Sequence, residues 1–139
     1  MKFMNSLSAV LETAVYCRDL AAARHFYSTV LGLTEYSDLE GEYLFYRVGQ
    51  GMFLVFNPEK SQLKNLNRAA DQPPAHGCSG GGHMAFTIDH QELEYWNTRL
   101  TEHHVNIESR VDWPGGGKSI YFRDPGNNSI ELATADIWS

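Results

Sequence analysis

The chain has 139 residues, 42% of them apolar and 20% charged, with a formal net charge of −6. That length suffices for one domain with a real core or two small modules sharing one, and an acid excess without a clustered basic footprint argues against a nucleic-acid partner. No run of about 18 apolar residues offers a membrane span, the opening Met-Lys-Phe-Met-Asn-Ser lacks a signal-peptide core, and Cys17 and Cys78 fit neither a disulfide framework nor zinc-finger spacing, so a cytoplasmic protein is expected.

Residues 11–17 are rich in β formers and read as a strand. Asp19 is a candidate N-cap for a helix that starts at Leu20, since Leu20, Ala23, Phe26, Tyr27, Val30 and Leu31 fall on one helical face. Gly32 follows in the C′ position. Strands are expected at about 33–38, 42–48 and 51–56, with turns at Glu40-Gly41 and Gly49-Gln50-Gly51. Residues 57–81 are polar and rich in Pro and Gly, which predicts a connecting or functional loop with room for a short helix near 60–69. The pattern then restarts: a strand over His83–Ile88, a helix over 90–104 with Leu93, Trp96 and Leu100 inward, and strands at about 107–111, 118–123 and 129–134. The last two flank Asp124-Pro-Gly-Asn-Asn, a hairpin turn.

The restart has the form of an internal repeat. Glu12-Thr-Ala-Val lies over His83-Met-Ala-Phe, and Phe45-Tyr-Arg-Val-Gly-Gln-Gly-Met-Phe-Leu-Val lies over the segment from Tyr121 to Leu132, with one inserted residue. The expected fold class is therefore α+β: two paired βαβββ modules forming curved mixed sheets around a shared cleft. The first module is placed at 1–57, the connecting loop at 58–81 and the second module at 82–139. Neither module is large enough to fold comfortably alone, so the two should pack or exchange.

Side-chain parity then singles out three residues. Glu12 shares a strand face with Ala14 and Tyr16, His83 with Ala85 and Thr87, and Glu131 with Ser129 and Ala133; in each strand the opposite face is the apolar one. A carboxylate on a buried strand face is costly without a cation or donors. If the sheets curl around one cavity, Glu12, His83 and Glu131 converge, and one imidazole with two carboxylates suits a divalent ion with open positions. Each also has an ordinary reading by itself: a surface glutamate at a sheet edge, a solvated strand glutamate, a hydrogen-bonded core histidine.

Four strings carry a family resemblance: Leu11-Glu-Thr-Ala-Val-Tyr-Cys-Arg-Asp-Leu, Arg24-His-Phe-Tyr-Ser-Thr-Val-Leu-Gly-Leu, Gly82-His-Met-Ala-Phe and Tyr121-Phe-Arg-Asp-Pro-Gly-Asn-Asn-Ser-Ile-Glu-Leu. Spread over nearly the whole chain, they resemble the vicinal oxygen chelate superfamily of glyoxalase I, fosfomycin-resistance proteins, bleomycin-resistance proteins and extradiol dioxygenases. The resemblance implies paired βαβββ modules and metal ligands from the first, fifth and eighth strands, which fall on Glu12, His83 and Glu131. It implies a divalent ion (Zn, Ni, Mn, Co or Fe), a small-molecule substrate and a homodimer whose modules pair within or across chains.

The chemistry so implied is Lewis-acid activation of an oxygen-bearing substrate, of isomerase, lyase or transferase type, with Glu131 or Glu12, once displaced from the metal, as catalytic base. The further carboxylate of glyoxalase I falls on Leu54. Glu12 replaces the first histidine of the dioxygenases and makes the site harder, away from iron–oxygen chemistry. Ser119, Tyr121 and Arg123 resemble the phosphonate contacts of fosfomycin-resistance proteins, although Ala14 stands where those carry a hydroxyl, which counts against fosfomycin as substrate. His76, in the connecting loop, is a candidate substrate contact, acid or base over the cavity, with an exposed loop histidine as the ordinary alternative. A rival reading is a protein that sequesters an antibiotic or metabolite without catalysis; the retained Glu12, His83 and Glu131 weigh against it. Arg47 and Arg123 are repeat counterparts, and Trp113 and Trp138 are candidates for walling an apolar pocket or packing in a core.

Overall fold

In a computed structural model of the protein, residues 6–63, 72–78 and 80–139 are described. Among these residues eight strands form two four-stranded sheets. The first sheet holds β1 (Glu12–Tyr16), β2 (Thr34–Leu39), β3 (Tyr43–Val48) and β4 (Gly51–Phe56) in the spatial order β1-β4-β3-β2. The second holds β5 (His83–Ile88), β6 (Ile107–Asp112), β7 (Lys118–Arg123) and β8 (Ser129–Thr134) in the order β5-β8-β7-β6. In both, the first and last strands pair parallel and the others antiparallel. The sheets are therefore mixed and topologically identical, the α+β fold of paired βαβββ modules that the repeat predicts.

Helix α1 (Leu20–Arg24) starts at the expected cap, with the Asp19 carboxylate accepting the Ala22 N–H at 2.9 Å. Where the pattern predicts an unbroken α-helix, the chain widens into a π-helical stretch, His25–Val30, closed by the Leu31 N–H donating to the Phe26 carbonyl. The wider turn serves two adjacent rings that are both buried. Tyr27 packs on Phe53 of its own sheet, with ring centroids 4.8 Å apart, while Phe26 reaches Phe122 of the other sheet at 5.9 Å. Helix α2 (Pro58–Ser61) is a single turn capped by Asn57. The short helix expected near 60–69 overlaps it at its start, and residues 64–71 lie outside the described residues. Helix α3 (Leu93–Glu102) follows a 3-10 turn, His90–Glu92, and the chain closes with a 3-10 turn over Ala135–Trp138 that the sequence did not suggest.

The apolar faces of both sheets and their helices merge into one core, joined across the modules by Phe53–Phe86 at 5.3 Å and Phe26–Phe122. Polar ties reinforce that seam. The Arg99 guanidinium donates to the carbonyls of Thr29 and Val30, and the Tyr27 hydroxyl donates to Asp124 at 2.5 Å. Burial, followed by the charge of Asp124, pushes the Tyr27 hydroxyl well above the ordinary tyrosine value. Asp124 in turn shapes the β7–β8 turn by accepting the N–H groups of Gly126 and Asn128. Among the described residues no helix is long and apolar enough to cross a membrane.

Candidate functional site

Parity places the candidates as expected. Glu12 and Ala14 are exposed on the face of β1 opposite buried Val15, and His83, Ala85 and Thr87 are exposed on β5 opposite Ile88. Strand register makes the repeat explicit. Leu54 sits beside Ala14, two residues past Glu12, as Glu131 sits beside Ala85, two residues past His83. Glu12 is thus the counterpart of His83, and Leu54 of Glu131. The antiparallel partners extend the equivalence: Phe45 faces Leu54 as Tyr121 faces Glu131, Tyr43 pairs with Phe56 as Ser119 pairs with Ala133, and Arg47 pairs with Met52 as Arg123 pairs with Ser129.

On the second sheet these positions form a polar cluster. Glu131, only 5% exposed, lies with one carboxylate oxygen 3.3 Å from His83 Nε2. Its other oxygen accepts from the Ser119 hydroxyl at 2.5 Å, and Ser119 accepts from the Trp113 indole N–H at 2.9 Å. Tyr121 stands beside them, its ring stacked near His83 with centroids 6.3 Å apart. Burial first, then the charge of Glu131, raises the Tyr121 hydroxyl above its ordinary value, so it keeps its proton at neutral pH.

The imidazole of His83 is oriented from behind. Its Nδ1 lies 3.0 Å from the Ser129 carbonyl, an acceptor only, so that nitrogen carries the proton. In the neutral ring the Nε2 lone pair then faces a carboxylate oxygen at 3.3 Å. Two acceptors at that distance need a cation or a proton between them. A histidine whose rear nitrogen donates to a carbonyl, facing a buried carboxylate held by a hydroxyl, is compatible with a pair of divalent-metal ligands.

The hairpin turn sets this pair in place. Asn128, 1% exposed, accepts the Gly82 N–H at 2.7 Å and donates to the Tyr16 carbonyl at 3.0 Å. It thereby fixes the entry to β5 against the first module. The sequence pattern assigns neither Asn128 nor Trp113 such a role; the signal for Asn128 is an amide in a turn just before the carboxylate strand.

Glu12 is not part of this cluster. No group of three His, Cys, Asp or Glu placed to hold a metal occurs among the described residues of the single chain. Glu12 instead lines a cavity of about 410 Å³ on the first sheet, together with His76 and the side chains of Tyr43, Phe45, Met52, Leu54 and Phe56. His76 is held there by its N–H to the Ser61 carbonyl, by Tyr16, whose hydroxyl lies 2.8 Å from Nδ1, and by Phe56 set edge-on at 4.5 Å. Arg123 lies on the Ser119/Tyr121 face at the far end of β7, where its guanidinium donates to both oxygens of Glu108. Arg47 rests over the Tyr36 ring at 5.3 Å, and Trp138 is exposed.

Comparison with known proteins identifies the family. Residues 9–132 match the family described as the Glyoxalase/Bleomycin resistance protein/Dioxygenase superfamily. The metallothiol transferase FosB of Staphylococcus saprophyticus is 32% identical over 120 residues, covering 86% of this chain and 72% of that protein. A FosB from Staphylococcus epidermidis is 33% identical over 122 residues, covering 86% and 78%. The crystal structure of lactoylglutathione lyase from Agrobacterium tumefaciens superposes with a TM-score of 0.89 at 37% identity, covering 96% of this chain and 98% of that one.

Proposed function

The chain belongs to the Glyoxalase/Bleomycin resistance protein/Dioxygenase superfamily, and from that premise we propose that it is a divalent-metal-dependent enzyme of lyase, isomerase or transferase type acting on a small oxygen-bearing substrate. The observation that carries the proposal is the pair His83 Nε2 and Glu131, 3.3 Å apart, with the histidine oriented by Ser129 and the carboxylate by Ser119. His83 and Glu131 are two of the residues that would hold the ion, and Glu12 is the third. When bound, such an ion supplies Lewis-acid polarisation of substrate oxygens.

The protein's own groups do the rest. Ser119 leaves one Glu131 oxygen facing His83, and Tyr121 holds a proton to donate to a substrate oxygen. Glu131 or Glu12, once displaced from the ion, would take the substrate proton. Relatives named for metallothiol transfer and for lactoylglutathione favour the transferase and lyase types and a thiol or thiol adduct among the reactants.

Glu12 reaches this site from a second copy of the chain. β1 and β5, which carry Glu12 and His83, are edge strands that line one small cavity together in the single chain, yet the cluster of His83 and Glu131 forms without Glu12. Leu7, Val10 and Leu11, just before Glu12, are exposed apolar side chains suited to such an interface. A homodimer would then hold two equivalent sites, each drawing Glu12 from one copy and His83 with Glu131 from the other. The test is metal titration of the protein and of His83→Ala. Stoichiometric uptake by the unaltered chain, lost in the folded variant, is expected; uptake by neither, or equally by both, refutes the proposal.

A further inference from the structure

We infer that the cavity on the first sheet is a specificity pocket for a planar aromatic group, so that the substrate class is an aryl-bearing molecule presenting two vicinal oxygens to the metal. This rests on the metal reading above and extends it to the part of the substrate that the metal does not touch.

The walls carry the inference. Tyr43 and Phe45 lie stacked, with centroids 4.0 Å apart and planes at 18°, while Phe56 stands edge-on to Phe45 at 5.5 Å. Packed against one another in this way, the three rings form a stiff aromatic wall whose remaining surface lines the cavity and suits a flat ring, by offset or T-shaped contact, better than a branched group. An apolar cavity of about 150 Å³ is enough to hold benzene. The cavity here is about 410 Å³, which leaves room for a chelating head beside the ring. Continuity with the proposed site is direct, because Glu12 lines the same cavity.

The repeat explains how the pocket arose. The positions that carry Ser119, Tyr121 and Glu131 in the second sheet carry Tyr43, Phe45 and Leu54 in the first. The same backbone scaffold thus holds a polar end in one half and an apolar end in the other. A second observation points to a ligand with a polar edge. Ser61 lines the cavity, and its buried hydroxyl has no hydrogen-bond partner among the described residues. A polar substituent on the ring gives that hydroxyl one once it turns toward the cavity.

The experiment uses the full chain loaded with cobalt(II) and two chelators with the same vicinal-oxygen head, benzohydroxamate and acetohydroxamate. Each affinity is read from the visible cobalt spectrum and referenced to that chelator's affinity for free cobalt(II). Benzohydroxamate is expected to bind at least about tenfold tighter, since even one added apolar carbon in a fitted pocket is worth about 10–200-fold. Phe45→Ala and Phe56→Ala should narrow the gap. Equal referenced affinities in the unaltered protein overturn the pocket while leaving the metal site standing. A spectrum that responds to neither chelator takes down the metal reading and this inference with it.

Discussion

The two sheets share one topology and one register, yet they present opposite chemistry on equivalent positions. Where the second carries His83, Ser119, Tyr121 and Glu131, the first carries Glu12, Tyr43, Phe45 and Leu54. The scaffold is therefore indifferent to what stands on its outward face, because the shared core is made by the other parity. Val15, Phe53 and Val55 in one half and Ile120, Phe122 and Ile130 in the other form that core. A duplicated fold can thus carry a polar cluster on one half and an aromatic-lined cavity on the other over one shared core.

The sharpest break of that comparison exchanges the effect of counterparts. Glu131→Gln removes the charge of a proposed ligand and should abolish metal uptake while leaving the fold, as read by circular dichroism. Leu54→Ala at the equivalent position should leave uptake unchanged and cost about 2–3 kcal/mol of unfolding free energy, the lower part of the core-truncation range, because Leu54 already borders a cavity. If both variants lose metal equally, the assignment of roles by register fails.

A step smaller is the support behind Glu131. Ser119→Ala removes the hydroxyl that orients the carboxylate and should weaken metal affinity by about 10–100-fold. Its counterpart Tyr43 lies outside that cluster, so Tyr43→Phe should leave the affinity in place. Competition with a chromophoric chelator measures both.

The seam between the halves gives a third effect, read in pH rather than metal. Tyr27 of the first half donates to Asp124 of the second, and Tyr27→Phe should cost about 1.5–3 kcal/mol at neutral pH, the range for hydrogen bonds to charged groups. Because the folded state raises the Tyr27 hydroxyl, its contribution is full below the ordinary tyrosine value of about 10. It is lost as the pH climbs from there toward the raised folded value. Cys17, pushed up to about 11 chiefly by burial and next by Asp124, adds a decline of the same sign. Urea midpoints at neutral and alkaline pH should therefore fall more steeply in the unaltered protein than in Tyr27→Phe. Equal slopes would mean that Tyr27 ionises as freely as in the unfolded chain. Least of all should Arg123→Ala matter to metal uptake, since its guanidinium is held by Glu108 at the far end of the strand.

Much of this was legible in the residues. Period-two alternation fixes strand faces whatever the tertiary context, so Glu12, His83 and Glu131 could be set on the outward parity, and the repeat placed Leu54 opposite Glu131. What parity cannot give is which sheet faces meet. Convergence of the three ligands needed a long-range arrangement, and the single chain brings only His83 and Glu131 together. The π-helical stretch was equally hidden, because its cause is a pair of adjacent rings, Phe26 and Tyr27, pulled toward different sheets. Asn128 and Trp113 escaped for the same reason: a turn amide and a half-exposed indole acquire meaning only through partners distant in space or across the strand, at Tyr16, Gly82 and Ser119.

In the proposed homodimer one metal site is completed by Glu12 of one copy and His83 with Glu131 of another. Mixing chains tests it most directly. Glu12→Ala and His83→Ala proteins, each purified without metal uptake, are unfolded together, refolded as a mixture and titrated with cobalt(II). In a mixed dimer one site would receive Glu12 from the His83→Ala chain and His83 with Glu131 from the Glu12→Ala chain, so metal binding should reappear. If the refolded mixture binds no more metal than either variant alone, the two-copy site is contradicted.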